Sequence, residues 1–489
     1  MKKYDIVVIG GGAGGLTVAA GAAGLGASVA LIEKEKQPGG DCLHYGCVPS
    51  KALLQAAKEV YNARKAAKEF GLHLSGDIDF GVAKKRVIDA QKIIEKHDSV
   101  ERFENMGVDV YHGEGSFITR NEIQIASQHQ ETMKIWGKRI VIATGSRPSI
   151  PAIEGLETVE YITNETIFDL DAAPKRLAVI GGGPIGLEMA QAFSRLGSEV
   201  NVFVRSNTIL AKEDKELIPV ALQELEKEMI FHFQSQVTKV EPIHPSGSIR
   251  LHIQYLATDD KNIVKRETTL EVDQLLIAAG RTSNIESLGL EKIGVETQNG
   301  HVLVKDTLQT SVSNIFAVGD IIGKYLFTHA AGMEGKAVIA NAVFGLRNKA
   351  QYDSLPWVTY TDPEIYHLGL TEDEARCKHV DNLEVYKVNV DDVDRFVTDR
   401  QSVGILKVIT DKKGFILGAH AVGKGASTWM QELVYAKQYK HPIGNVSKVI
   451  HPYPTHGAIL QRAADQYWRK KLFSGFLPKL AKKYIQWFR

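Results

Sequence analysis

One pattern occurs twice in this chain: an apolar β-branched run, then Gly-x-Gly-x-x-Gly, a helix of small residues, and a second apolar run. The first copy spans Tyr4 to Ile9, then Gly10, Gly12 and Gly15, a helix to about Leu25, and Ser28 to Ile32, ending at Glu33. The second occupies residues 176–204, with Gly181, Gly183 and Gly186. Glycine at those spacings lets backbone approach a pyrophosphate, whose charge then sits at a helix N-terminus. Unbroken Val/Ile/Leu runs read as parallel strands buried on both faces. Two such units predict an α/β chain with two Rossmann-like dinucleotide-binding domains.

The residues closing the two units differ. Glu33 lies 21 residues past Gly12, where a carboxylate accepts from ribose hydroxyls. The second unit closes on Val204-Arg205, with no acid. An arginine there pairs with a 2′-phosphate that a carboxylate would repel, which favours NADP(H) over NAD(H).

Composition narrows the class further. At 489 residues, the length suggests about three domains. A net charge of +1 offers nucleic acid no electrostatic invitation, so none is expected as a partner. The chain holds three cysteines, Cys42, Cys47 and Cys377, too few for a secreted disulfide scaffold. Lys2 and Lys3 precede an apolar run, but Asp5 interrupts it and glycines end it, unlike a signal peptide. No stretch of about 18 apolar residues is present, so a cytoplasmic location is expected.

Cys42 and Cys47 stand in Gly-Gly-Asp-Cys-Leu-His-Tyr-Gly-Cys-Val-Pro-Ser-Lys, residues 39–51. A helix starting near Pro49 would put Cys47 beside a positive helix end, which favours thiolate. A metal site would need more ligands than His44 alone, so a redox pair is the stronger reading. Helices are expected at about 49–70, 80–105 and 427–439, with hairpin-like sequence near 110–135. Beyond about residue 350, alternating segments such as 403–409 and 415–421 predict an antiparallel sheet in an α+β domain. The last 21 residues carry seven Lys or Arg, no acid and interleaved apolar residues, split by Pro478. They read as a solvated or subunit-packing tail, or as a weak membrane-surface contact.

The cysteine segment resembles the active site of the class I pyridine nucleotide–disulfide oxidoreductases, which include dihydrolipoamide dehydrogenase, glutathione reductase and mercuric reductase. Ala143-Thr144-Gly145, Ala279-Gly280-Arg281 and Ala317-Val318-Gly319-Asp320 extend the resemblance along nearly the whole chain. It implies an FAD-binding domain (1–149 and 275–350), an inserted NAD(P)-binding domain (150–274) and a dimerisation domain (351–468) that makes a homodimer, ahead of the basic tail (469–489). It implies that Asp320 holds the FAD ribityl chain and that Lys51 pairs with Glu188 beside the flavin. Cys47 would be the thiolate facing the flavin, and Cys42 the thiol that attacks substrate. Thr144, Gly145 and Gly280 fall among the cofactor-binding positions.

The departures are as informative. The family's His-x-His-Pro-Thr-x-x-Glu segment is here His451-Pro452-Tyr453-Pro454-Thr455-His456-Gly457-Ala458, so Tyr453 and Ala458 occupy the acid–base dyad. A phenol titrating near pH 10 is a poor proton shuttle. Tyrosine there is similar to mercuric reductase, yet no C-terminal cysteine pair follows Cys377. His456 is a candidate replacement base, His44 a tuner of the cysteines, and His329 a neighbour of the isoalloxazine. Pro184 stands where several relatives carry a tyrosine over the nicotinamide pocket, and Ala211 and Lys212 where a second phosphate-binding arginine is common. The expectation is an FAD-dependent NAD(P)H oxidoreductase with a sulfur, metal or quinone acceptor. The alternative is a flavin-binding protein whose main role is association through its basic tail.

Overall fold

The computed structural model describes residues 1–127, 132–257, 264–379, 383–474 and 476–488. The chain forms two compact units, residues 1–205 with 234–350, and residues 206–233 with 351–489.

In the first unit, the expected buried runs form a parallel sheet in the order Val108–His112, Val29–Glu33, Lys2–Ile9, Met133–Ile142. Ile315–Ala317 adds a parallel strand to Met133–Ile142, bringing Gly319-Asp320 back to the carboxyl edge beside the first glycine turn. The expected hairpin near 110–135 is present: Glu114–Phe117, Glu122–Ala126 and Met133–Ile142 pair antiparallel. The helices Ala13–Gly24 and Thr328–Phe344 pack on one face with small residues, since Ala19, Ala22 and Val338 are buried. The second glycine unit builds its own parallel sheet from Glu199–Val204, Arg176–Ile180 and Gln274–Ile277. A three-stranded antiparallel sheet, Ser235–Ile243, Ser248–Leu256 and Val264–Val272, lies between the last two of these in sequence.

In the second unit, the strands Pro356–Thr359, Glu364–Gly369, Ile416–Gly423, Ile405–Asp411 and Leu383–Asn389 form an antiparallel sheet in that order. The expected alternation at 403–409 and 415–421 is the hairpin at its centre. One face carries Tyr366, Leu368, Leu406, Val408, Ala419 and Ala421 into the core beneath the helix Ala458–Phe473. The molecule is thus α/β, with two Rossmann-like domains and a C-terminal α+β domain.

Three expected helices differ in detail. The segment 80–105 breaks at Ser99, whose extended backbone (ψ 148°) ends one helix while its hydroxyl caps the next by accepting from Arg102 N–H. The helix expected from Pro49 begins at Cys47, so Cys47 itself lies in the first turn. The 427–439 helix is two shorter ones, Ala426–Trp429 and Gln431–Gln438. The tail divides near Pro478 as expected: the helix Ala458–Phe473 ends and Leu477–Trp487 starts with Pro478 in its first turn, where proline lacks only a donor that the turn leaves unused. No described helix is long and apolar enough to cross a membrane.

Candidate active site

Cys42 lies in the short helix Gly40–His44, and Cys47 opens the helix Cys47–Phe70 with no acid in its first turn. The Cys42 thiol hydrogen-bonds to Cys47, which draws Cys47 down to about 6. Thr328 Oγ1, 3.2 Å from the Cys47 sulfur, and the Lys51 ammonium act in the same direction, against the opposing effect of burial. The same bond, with burial, pushes Cys42 well above the ordinary thiol range. The pair is therefore asymmetric, with Cys47 giving up its proton more readily than Cys42.

One turn on from Cys47, Lys51 Nζ donates to Glu188 Oε2 at 2.8 Å, joining this helix to Pro184–Arg195. Glu188 is buried and Lys51 half-exposed, so the carboxylate anchors an ammonium whose head stays accessible. The expected pairing is thus present.

Four sequence motifs meet around Arg281. Its guanidinium donates to Asp41 Oδ1 (3.0 Å), Ser146 Oγ (2.7 Å) and Ser146 O (2.9 Å), and lies 3.5 Å from Asp320. Ser146 in turn donates to Asp320 Oδ2. Burial pushes the Asp320 carboxyl up, against the Ser146 bond and the Arg281 charge. Thr144 Oγ1 donates to Asn284 O, and Asn284 Nδ2 donates back to Thr144 O, which fixes the turn holding Gly145.

The glycines test whether the two turns fit a dinucleotide. A Cβ on Gly10 (φ +105°) would stand 2.3 Å from Ala143 O, and one on Gly15 would stand 2.0 Å from Gly10 O. Gly181 (φ +129°) and Gly186 repeat this at 2.2 Å from Ala278 O and Gly181 O. The outer glycines are therefore demanded by packing. The central ones are not: a Cβ on Gly12 would meet its nearest atom at 3.9 Å, and one on Gly183 would meet none within 4 Å. Both also stand at helix N-termini that no side chain caps. Open space over uncapped N–H donors is what a pyrophosphate needs, so the residues fit FAD in the first turn and a nicotinamide dinucleotide in the second. Glu33 is buried and accepts from Gly11 N–H (2.6 Å) and Glu35 N–H (2.8 Å), which fixes its carboxylate at the end of its strand. Arg205, at the equivalent place, is exposed.

Several expectations need correction. His44 Nε2 sits 3.2 Å from the carbonyls of Gln37 and Pro38, holding the preceding loop rather than either sulfur. His329 stacks on Phe327, and Thr328 between them meets the Cys47 sulfur. Sequence reading missed Thr328, and with it Asp41 and Ser146, because a hydroxyl or carboxylate acting across hundreds of residues leaves no local pattern.

In the dimerisation unit, Tyr453 is 78% exposed and its hydroxyl donates to Asp394 Oδ2 at 2.6 Å. That carboxylate pushes the phenol up from its ordinary value. His456 rests on the Phe396 ring at 4.5 Å, with Nε2 3.1 Å from Asp399 but poorly aligned for a hydrogen bond. A better-formed histidine–carboxylate pair is His451 Nε2 with Glu432 Oε2 at 2.8 Å. Cys377 is exposed.

Two glycine cradles, an asymmetric dithiol and a separate α+β domain are the marks of one enzyme class. The pyridine nucleotide-disulphide oxidoreductase family matches residues 4–335, and the dimerisation domain of the same oxidoreductases matches residues 355–464. The chain belongs to the pyridine nucleotide-disulphide oxidoreductases, flavoproteins that bind FAD and a pyridine nucleotide. Its relatives include mercuric reductase of Lysinibacillus sphaericus, 32% identical over 470 residues and covering 94% of this chain and 82% of that protein. Mitochondrial dihydrolipoyl dehydrogenase 2 of Arabidopsis thaliana is 33% identical over 474 residues, covering 96% and 91%. The copper(II) complex of RclA, an HOCl-induced flavoprotein disulfide reductase of Escherichia coli, shares the fold. It aligns with a TM-score of 0.83 over 95% of this chain and all of that one, at 24% identity.

Proposed function

We propose that this oxidoreductase takes reducing equivalents from NADPH in preference to NADH. They pass to the Cys42–Cys47 pair and on to a soft metal ion, a sulfur compound or a quinone. The observation that carries this reading is the convergence of Cys42, Thr328 and Lys51 on the Cys47 sulfur. A protein whose main work is association would not need that polarised pair.

Bound FAD supplies the two-electron relay between a nicotinamide hydride and a disulfide. The chain's own residues do the rest. Gly12 and Gly183 leave room for the pyrophosphates, and Glu33 would hold a ribose, Asp320 the ribityl chain and Arg205 the 2′-phosphate. Lys51, oriented by Glu188, offers positive charge where reduction deposits negative charge. One hydride and one proton convert the disulfide to two thiols. Cys47 then loses its proton readily, while Cys42 keeps its own until it attacks the acceptor.

The dyad position favours acceptors that need no protonated leaving thiol. Tyr453 is a phenol held up by Asp394, and His456 is poorly paired. In a homodimer both would be presented to the partner's sulfur pair. The reading is thus mercuric reductase-like, or an atypical dihydrolipoamide dehydrogenase-like enzyme, in a reducing compartment. The test is an acceptor screen covering lipoamide, glutathione disulfide, Hg²⁺ and quinones with both nicotinamides. The reading expects metal or quinone turnover to exceed lipoamide and glutathione disulfide turnover. Efficient lipoamide reduction that survives Tyr453→Phe would overturn the acceptor argument.

The tail carries a companion proposal: contact with an anionic phospholipid surface. At 100° per residue, Leu477, Leu480, Ala481, Tyr484 and Phe488 share one face of the helix Leu477–Trp487 and its C-cap, and Lys479, Lys482, Lys483 and Gln486 share the other. The apolar face is unburied, with Trp487 at 90% and Phe488 at 73% exposure. The last 21 residues hold +7, and the rest of the chain therefore −6, so an anionic surface would attract the tail alone. Flotation with phosphatidylglycerol vesicles should retain the holoenzyme and release Leu480→Glu/Trp487→Glu, with turnover unchanged. Equal flotation of both, or loss of the dimer in the variant, would contradict this.

A further inference from the structure

A second group of ligating side chains lies in the second compact unit. His367 and His420 are register partners on the adjacent strands Glu364–Gly369 and Ile416–Gly423, and Glu213 comes from the loop before the helix Ile218–Leu225. All three are buried, at 2%, 1% and 8% exposure. One ligating atom from each lies within 4.8 Å of the others.

The hydrogen bonds determine which ring nitrogens face the group. His367 Nε2 is 2.8 Å from Gly369 O, and His420 Nε2 is 2.9 Å from Leu370 O. A carbonyl only accepts, so both Nε2 atoms carry a proton. Each Nδ1 is then the ring nitrogen left to a ligand. His367 Nδ1 meets Glu213 Oε2 at 2.9 Å, and His420 Nδ1 has no hydrogen-bond partner although buried. With a neutral ring, the first contact sets a lone pair against a carboxylate. The second leaves a buried polar atom unsatisfied, which native interiors rarely tolerate. Trp357 Nε1 donates to Glu213 Oε1 at 2.6 Å and its ring stacks on His367, so the carboxylate and imidazole are held in this arrangement.

Neighbouring charge does not resolve the conflict. Lys407, the cross-strand partner of His420, is the nearby buried cation, but it is surrounded by Asp214, Glu216 and Glu372 at 2.6–3.0 Å. Apart from the Trp357 bond, Glu213 meets the His367 imidazole. A single proton on His367 would settle the contact with Glu213 but leave His420 Nδ1 unsatisfied. A cation among the three atoms settles both.

We propose that Glu213, His367 and His420 form a structural site for a divalent transition metal of the zinc type, tying the 206–216 segment to the sheet. Two imidazoles and one carboxylate are a donor set zinc accepts. Each ring's other nitrogen donates to a backbone carbonyl, as ligating histidines usually do. Tetrahedral zinc spaces its ligand atoms about 3.4 Å apart, and the three ligand atoms here lie within 4.8 Å of one another, one pair at 2.9 Å. The proposal does not depend on which electron acceptor the enzyme uses.

The experiment uses full-length holoenzyme produced with added zinc, because a closed site loads as the chain folds. Cys42→Ser and Cys47→Ser remove the dithiol as a competing ligand. Metal analysis should find about one zinc per chain, falling at least about tenfold in His420→Phe and in Glu213→Gln with FAD content retained. Absence of zinc, or zinc equally retained in both variants, would overturn the proposal. Should a variant fail to fold, cobalt substitution in the Cys42→Ser/Cys47→Ser protein decides. Tetrahedral d–d absorption without thiolate-to-cobalt bands supports the site, and thiolate bands or no cobalt uptake overturns it.

Discussion

Residue-scale chemistry centres on Cys47. With the thiolate favoured down to about pH 6, alkylation of the reduced enzyme at Cys47 should rise through a midpoint near 6. An ordinary thiol would rise about 2.5 units higher. Thr328→Val should move that midpoint upward, because it removes a hydrogen bond to the charged sulfur. Stopped-flow alkylation across pH checks both. Lys51→Met should slow reduction by NADPH about tenfold or more by removing positive charge from the reduced site. Single-turnover kinetics would register it with little change in nicotinamide affinity.

At this scale the sequence was legible where a motif or a family resemblance marks the residue. Cys42, Cys47 and the Lys51–Glu188 pair could be named because motif and resemblance fix them. Thr328, Asp41 and Ser146 could not, because each acts through a contact that only the folded chain makes. His44 misled for the opposite reason: adjacency in sequence suggested the sulfurs, while the turn directs its ring to the Gln37 and Pro38 carbonyls.

Among the elements, the glycine turns separate packing from binding. Gly186→Ala would put a Cβ 2.2 Å from Gly181 O and should destabilise the protein by about 2 kcal/mol or more. Gly183→Ala meets nothing within 4 Å and should leave stability within about 0.5 kcal/mol. It should nonetheless weaken nicotinamide binding. Thermal melts together with nicotinamide titrations separate the two effects. Arg205→Glu should raise KM for NADPH about tenfold or more and leave NADH nearly unchanged, since only the 2′-phosphate loses a partner. Parallel strands were readable because burial on both faces writes an unbroken apolar run. The three-stranded sheet at 235–272 was not, because its strands mix polar and apolar residues on a half-exposed surface.

For the molecule as a whole, fold class and family were legible because two glycine units and a cysteine motif recur at family spacing. The departure from that family at Tyr453 and the basic tail were legible too. What they do physically required the structure. Asp394 holds the Tyr453 hydroxyl, and no described residue of the tail helix is buried. The histidine–glutamate group at Glu213, His367 and His420 left no motif, since its members lie 53 or more residues apart and meet only through strand register.

The central claim is that Cys47 is the thiolate next to the flavin. Anaerobic titration of the holoenzyme with NADPH tests it most directly. Long-wavelength absorbance should appear on two-electron reduction, persist in Cys42→Ser and vanish in Cys47→Ser. Its absence from the native enzyme, or its survival in Cys47→Ser, would contradict the account.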